Sequence, residues 1–271
     1  MSAAKLVTSH RMYNAAPGAT AAWRALFERV FRDVGMEPEF IPHGFPTPID
    51  ELWREPGLFG AFMCGWPFTR ADRAMHAIAA PVPSPPRYGG ESRYRSEFLA
   101  RASSGYARLE DTFGARIGWM ARDSQSGFNA PRYVLSRLAN GAALYRESKG
   151  PFATPIRTLE ALAAGDVDVV ALDGFFLDLL RRHAPEKLDG IVTIAETPWT
   201  PMPLLVAAPE VEEGKVRALR GHLLSLGKRS DYAPLLEPVL LKGFVDPDLE
   251  AYDVLGQMAF EALDAGYADI L

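Results

Sequence analysis

The chain has 271 residues, 48% of them apolar and 23% charged, with a formal net charge of −5. That is ample apolar material for a core and more chain than one core usually organises, so two lobes are expected. The acidic balance speaks against nucleic acid or an anionic membrane as partner, and no stretch approaches the roughly 20 apolar residues needed for a bilayer span.

Met1-Ser2-Ala3-Ala4 runs directly toward the first strand candidate, Leu6-Val7-Thr8, without the basic start and apolar run of a secretory leader. A periplasmic location is therefore expected only if a leader was removed, and a cytoplasmic one otherwise. The strand candidate leads into a polar turn, Ser9-His10-Arg11-Met12-Tyr13-Asn14. After Thr20, the residues Trp23, Leu26, Phe27, Val30 and Phe31 fall at helical spacing, and Gly35 is placed to end that helix. Phe40-Ile41 and Phe59 to Met63 read as strands, the second ending at Cys64-Gly65-Trp66-Pro67. Cys64 is the single cysteine, which excludes an intrachain disulfide and a thiolate metal cluster. Pro81 to Pro86 is read as a break in the chain, and Ser96 to Ala102 as an extended crossover.

The most informative stretch runs from Trp119 to Pro131. Arg116 to Met120 is a short apolar strand, followed by Asp123-Ser124-Gln125-Ser126-Gly127-Phe128-Asn129. Pro131 is tolerated only in a first helical turn, so a helix should begin near Gly127 or Phe128. The amides at its start, beside the hydroxyls of Ser124 and Ser126, make an anion site. The same serines would equally serve as ordinary helix caps. Further on, Thr154-Pro155 starts a helix that Gly165 ends, and Val167 to Leu172 is a strand delivering Asp173. Asp173 either faces a ligand or caps the helix from Phe175. Ile191 to Ile194 and Leu204 to Ala207 read as strands, and 211–271 as mainly helical. The alternation argues for α/β architecture with largely parallel sheets and ligand-side loops at strand C-termini. Those loops carry Tyr13, Trp66, Ser124, Ser126 and Asp173. Trp66 and Tyr13 are also ordinary core and turn residue types. The five histidines lack metal-site spacing; only His10 lies in a candidate ligand-side loop.

Four segments, in order, resemble the phosphate/phosphite/phosphonate substrate-binding proteins of ABC importers. They are Phe62-Met63-Cys64-Gly65-Trp66-Pro67, the Ser124-Gln125-Ser126-Gly127 loop, Leu159 to Asp173, and Glu196-Thr197-Pro198 through Pro203. The resemblance implies a type 2 periplasmic-binding-protein fold: two α/β lobes, a central mixed sheet in each, and crossover strands as hinge. Lobe one would comprise 1–97 and 203–271, the latter including the C-terminal helices, and lobe two 98–202. It further implies capture of a small oxyanion-bearing ligand between the lobes without catalysis or cofactor, with an ABC permease as partner and no membrane insertion. Ser124, Ser126 and the Gly127 amide would hold the oxyanion, Trp66 and Tyr13 would wall the cleft, and Asp173 would accept a hydrogen bond. Many family members carry a Gly-x-His-x-x-Ser motif; here Pro155 stands at the histidine and Thr158 matches the serine. A sulfonate, a carboxylate or a larger organic anion therefore joins phosphonate and phosphate as expected ligand. The leading alternative is a cytoplasmic type 2 fold enzyme or sensor acting on a small anionic or heterocyclic metabolite. No Gly-x-Ser-x-Gly elbow or P-loop supports catalysis.

Overall fold

Packing divides the chain into two units, the first comprising the residues up to Arg93 with Pro201–Leu249, and the second Tyr94–Thr200 with Glu250–Leu271. The computed structural model describes residues 5–139 and 141–271. Met1–Ala4, read above for a leader, lie outside the described residues.

In chain order the first unit begins with β1 (Val7–Thr8), α1 (Pro17–Asp33), β2 (Glu39–Phe40) and α2 (Ile49–Arg54). There follow β3 (Phe59–Met63), α3 (Gly65–Thr69), β4 (His76–Pro83) and β5 (Arg93–Tyr94), the last spanning the change of unit. The second unit then carries β6 (Ser96–Arg101), β7 (Arg116–Gly118), a π-helical turn Gln125–Asn129, and α4 (Ala130–Ala139). It continues with β8 (Glu147–Lys149), α5 (Pro155–Ala164), β9 (Val169–Asp173), α6 (Gly174–His183) and β10 (Ile191–Glu196). After β11 (Thr200–Pro201) the first unit resumes with β12 (Leu204–Ala207), α7 (Glu213–Ser225), α8 (Ala233–Leu236) and β13 (Leu241–Val245). The last helix, α9 (Asp253–Asp264), belongs to the second unit.

In the first unit the helical period in α1 turns Ala19, Trp23, Leu26, Phe27, Val30 and Phe31 to the interior. Trp23 meets Phe62 edge-on at 5.1 Å, and Phe31 lies 5.8 Å from Phe59, both centroid distances to rings on β3. The main sheet runs β13-β4-β12-β3 and is antiparallel, beside a parallel β1-β2 pair. The sequence reading of Pro81 to Pro86 as a break is corrected here, because β4 runs through Pro83. β12 pairs only with His76 to Ala79, so Pro81 and Pro83 lie where β13 alone is a neighbour. There an imide without N–H leaves no central ladder broken. β13 also interrupts the region expected to be helical.

The second unit holds the sheet β10-β6-β9-β7-β8. β7 runs parallel to both β8 and β9, while β6 pairs antiparallel with β9 and β10. Parallel pairing is thus a minority, against the largely parallel expectation, and each unit mixes helices with its own sheets. Residues 250–271 depart from the expected lobes: they pack with 94–200. Asn129 Nδ2 donates to the Leu255 carbonyl at 2.9 Å, and buried Arg132 donates to the Ala268 carbonyl at 2.9 Å. Tyr267 and Ile270 complete a core containing Phe98, Ile117, Phe128, Leu135 and Val169.

Asp168, at the entry to β9, fastens the opposite end of this sheet. Arg116 on β7 donates from Nε and Nη2 to its two carboxylate oxygens, each at 2.9 Å, and Arg101 on β6 donates from Nη2 at 2.9 Å. The guanidinium of Arg116 holds the Asp168 carboxyl well below the usual carboxylate range. A depressed folded-state pKa supplies stability above the unfolded value and loses it as the pH falls through the folded value. Asp168→Asn is expected to cost on the order of 3 kcal/mol at neutral pH. In thermal melts the gap between the two proteins should narrow as the pH drops past 3.8, the ordinary aspartate value.

Candidate functional site

Because β7, β8 and β9 run in parallel, the loops leaving them emerge at one end of the sheet. Gly118 is in register with Lys149 and Val170, which brings together the segments 119–129, 150–154 and the start of α6 at Asp173. Hydrogen bonds join the first two: Trp119 N to the Lys149 carbonyl at 2.9 Å, Phe152 N to Trp119 O at 3.2 Å and Ala153 N to Met120 O at 2.8 Å. Gly150 sits against the Trp119 indole so closely that a Cβ there would fall 2.5 Å from Cδ2.

The 124–129 turn is built from the backbone. Ser124 is its N-cap: Oγ accepts from Gly127 N at 2.9 Å. Asn129 N donates to Ser124 O at 2.9 Å, the wider i→i+5 closure of a π turn, a form that recurs at functional sites. With that closure Asn129 is the first residue able to donate within the turn, so the amides of Ser126 and Phe128 have no acceptor there. Ser124 Oγ, as an acceptor, keeps its own proton to donate. Ser126 is 8% exposed, and its hydroxyl makes no hydrogen bond among the described residues. The result is a set of neutral donors at a helix N-terminus, continuous with α4.

The expected role of Gly127 is corrected, since its amide is spent on Ser124 Oγ. The residue matters as a glycine instead. A Cβ there would lie 2.6 Å from Met120 Cβ, at the place where Met120 N donates to Gly127 O at 3.2 Å. Thr158 is also corrected: it is fully buried in α5 and its hydroxyl donates to the Thr154 carbonyl at 2.9 Å. Thr154 and Pro155 open that helix as expected. Asp173 caps α6, with Oδ1 accepting from Phe175 N at 2.7 Å and Phe176 N at 3.1 Å. Arg122 pairs with Asp269 at the surface.

In the first unit, Tyr13 is 1% exposed, with its ring 5.0 Å edge-on from Phe62 and stacked at 6.1 Å on Trp23. Its ring belongs to the aromatic core, not to a free wall. Trp66 is half-buried on α3, with the Arg70 guanidinium 4.7 Å from its ring. The feature that sequence reasoning passed over is Arg11, a buried cation in the loop after β1. Its only sequence signal is a basic residue in a ligand-side loop.

The family model described as "ABC transporter, phosphonate, periplasmic substrate-binding protein" matches residues 14–252. The chain therefore belongs to the substrate-binding proteins of the ABC phosphonate-transporter family, and its fold is the two-lobed type 2 form. Among solved structures it is similar to a binding-protein component of an ABC phosphonate transporter from Pseudomonas aeruginosa. That match has TM-score 0.80 at 18% identity and covers 97% of this chain and 88% of the other. PhnD1 from Prochlorococcus marinus, in complex with methylphosphonate, matches with TM-score 0.78 at 17% identity, covering 97% and 99%. A Xanthomonas citri protein bound to ATP matches with TM-score 0.63 at 16% identity, covering 98% of each chain. No curated protein matches the sequence. No helix of the described residues is long and apolar enough to cross a membrane.

Because the turn has no room at Gly127, Gly127→Ala should lower stability by about 1–3 kcal/mol, the usual cost of overpacking. Denaturant titration of the two proteins measures this; equal midpoints would show that the turn yields without strain.

Proposed function

We propose that the protein captures a small oxyanion-bearing solute, a phosphonate, phosphate or related anion, and hands it unchanged to an ABC permease. The reading rests on one observation: the Ser126 hydroxyl, without a partner among the described residues, beside the Ser124 hydroxyl and the amides of Ser126 and Phe128, which find no acceptor within the turn. Neutral donors aimed from a helix N-terminus hold an anion through directed hydrogen bonds and the helix dipole. Family membership and the methylphosphonate held by the Prochlorococcus relative support the same ligand class. The periplasm is the proposed location, following the family description.

Trp66 is proposed to offer an apolar surface to the ligand, and Asp173 to accept a hydrogen bond from it. Catalysis has no support in the serine geometry. Ser124 Oγ is held as a cap acceptor and Ser126 has no base hydrogen-bonded to it among the described residues. A nucleophilic serine needs such a base within hydrogen-bond reach.

Methylphosphonate and inorganic phosphate should each be titrated calorimetrically, with thermal melts alongside. At 100 times its Kd, a bound anion should raise stability by about 2.7 kcal/mol. Ser126→Ala should weaken binding at least tenfold without lowering the melting temperature of the free protein. Undiminished affinity in that variant would remove the turn from the site. Conversion of either compound to product would overturn the non-catalytic reading.

A further inference from the structure

Arg11 is a buried cation with no anion. It is 9% exposed, and among the described residues no carboxylate pairs with it. One nitrogen does all of its visible bonding: Nη1 donates to the carbonyls of His43 and Thr47, each at 2.6 Å, and lies 2.8 Å from His43 Nδ1. Those contacts tie the 42–48 loop to the loop that follows β1. Backbone geometry fixes the residue from its own side. Arg11 N donates to Ser9 Oγ at 3.3 Å, Tyr13 N donates to Arg11 O at 3.0 Å, and Met12 is held at φ +77°.

A clamp between two loops accounts for Nη1 and for nothing else. The same two carbonyls could be held by a neutral amide, at no cost of burying a charge. Burying a guanidinium without a counter-ion is unfavourable by several kcal/mol in general. Burial here lowers the Arg11 pKa, with no acid acting in the other direction. Nε and Nη2 hydrogen-bond to no described residue, and together they form the side-on edge that matches two oxygens of one carboxylate or phosphonate. The loop lies beyond the end of β1, which runs parallel to β2, the position where α/β sheets gather ligands.

We propose that the Nε–Nη2 edge of Arg11 is an oxyanion-binding site of the first unit, taking a carboxylate or phosphonate group of the captured solute side-on. The proposal rests on the solute-receptor reading and gives the first unit a charged, bidentate contact of its own. It makes Arg11 a specificity determinant: planar or tetrahedral oxyanions with two accessible oxygens bind, and chloride does not.

The test uses the full chain with 15N-labelled arginine, the Arg11 Nε–H signal being identified by its loss in Arg11→Lys. Methylphosphonate and acetate are titrated separately, with chloride at equal ionic strength as control. The signal should move and saturate with at least one of the two oxyanions and stay fixed with chloride. Calorimetry with the same probe should show affinity falling at least tenfold in Arg11→Lys, which keeps the charge and a donor but loses the fork. In Arg11→Gln, which loses the charge as well, it should fall further. A fixed signal with both oxyanions, or unchanged affinity in both variants, overturns the proposal and leaves Arg11 a loop clamp. The two readings fail separately. Loss of binding in Ser126→Ala with full binding in both Arg11 variants sinks only the Arg11 assignment. If calorimetry of the wild-type chain detects neither probe, the receptor reading falls, while the Arg11 signal still reports directly on anion contact.

Discussion

The close approach of Met120 and Gly127 shapes the second unit's functional end. Met120 has just left β7, and its amide turns back to the Gly127 carbonyl across a gap that admits no side chain. That contact folds the chain after the strand into a tight bight. In the turn that follows, Ser124 is the N-cap and the closure is wide, Asn129 N donating to Ser124 O. Ser124 and Ser126 are both buried at this turn. A helix that began two residues later, as Pro131 alone would allow, would hide Ser126 before the first turn.

The turn is held from behind by a polar network. Asn129 Nδ2 donates to Gln125 Oε1 at 2.8 Å and to the Leu255 carbonyl, and Arg132 reaches the carbonyls of Ala259 and Ala268. These bonds reach from the turn to the C-terminal segment across more than a hundred residues of sequence. Here the arrangement returns residues 250–271 to the unit they had left at Thr200. The C-terminal segment is thereby a structural support for the turn.

Much of this was legible in the sequence, and the illegible parts share one physical cause. Local rules suffice for α1, whose apolar period is read directly from Trp23 to Phe31, and for α5, where Thr154, Pro155 and Gly165 mark both ends. For the turn before Pro131 they suffice only in part: they mark a helix start near Gly127 or Phe128, whereas the cap is Ser124 and the turn closes wide from Gln125. They fail for β4, where the acceptability of Pro81 and Pro83 depends on which strand is absent beside them. They fail for 250–271, whose partner is chosen by Asn129 and Arg132 more than a hundred residues earlier. Thr158 shows the same limit at the level of one side chain: the sequence offers a hydroxyl, and only the helix geometry shows it donated back to Thr154.

The two candidate anion contacts differ in kind, and that difference bears on selectivity. At the Ser124–Asn129 turn the nearby cations are already engaged, Arg122 with Asp269 and Arg132 with backbone carbonyls. What remains there are neutral donors, which select by direction and length, because each weakens steeply with misalignment. Arg11 is the converse, a full charge whose fork selects for a pair of oxygens while its attraction is less dependent on angle. Neutral donors alone would accept a monoanion or a dianion with little preference. A buried guanidinium favours whichever protonation state carries more charge, since its own desolvation is relieved only by an anion.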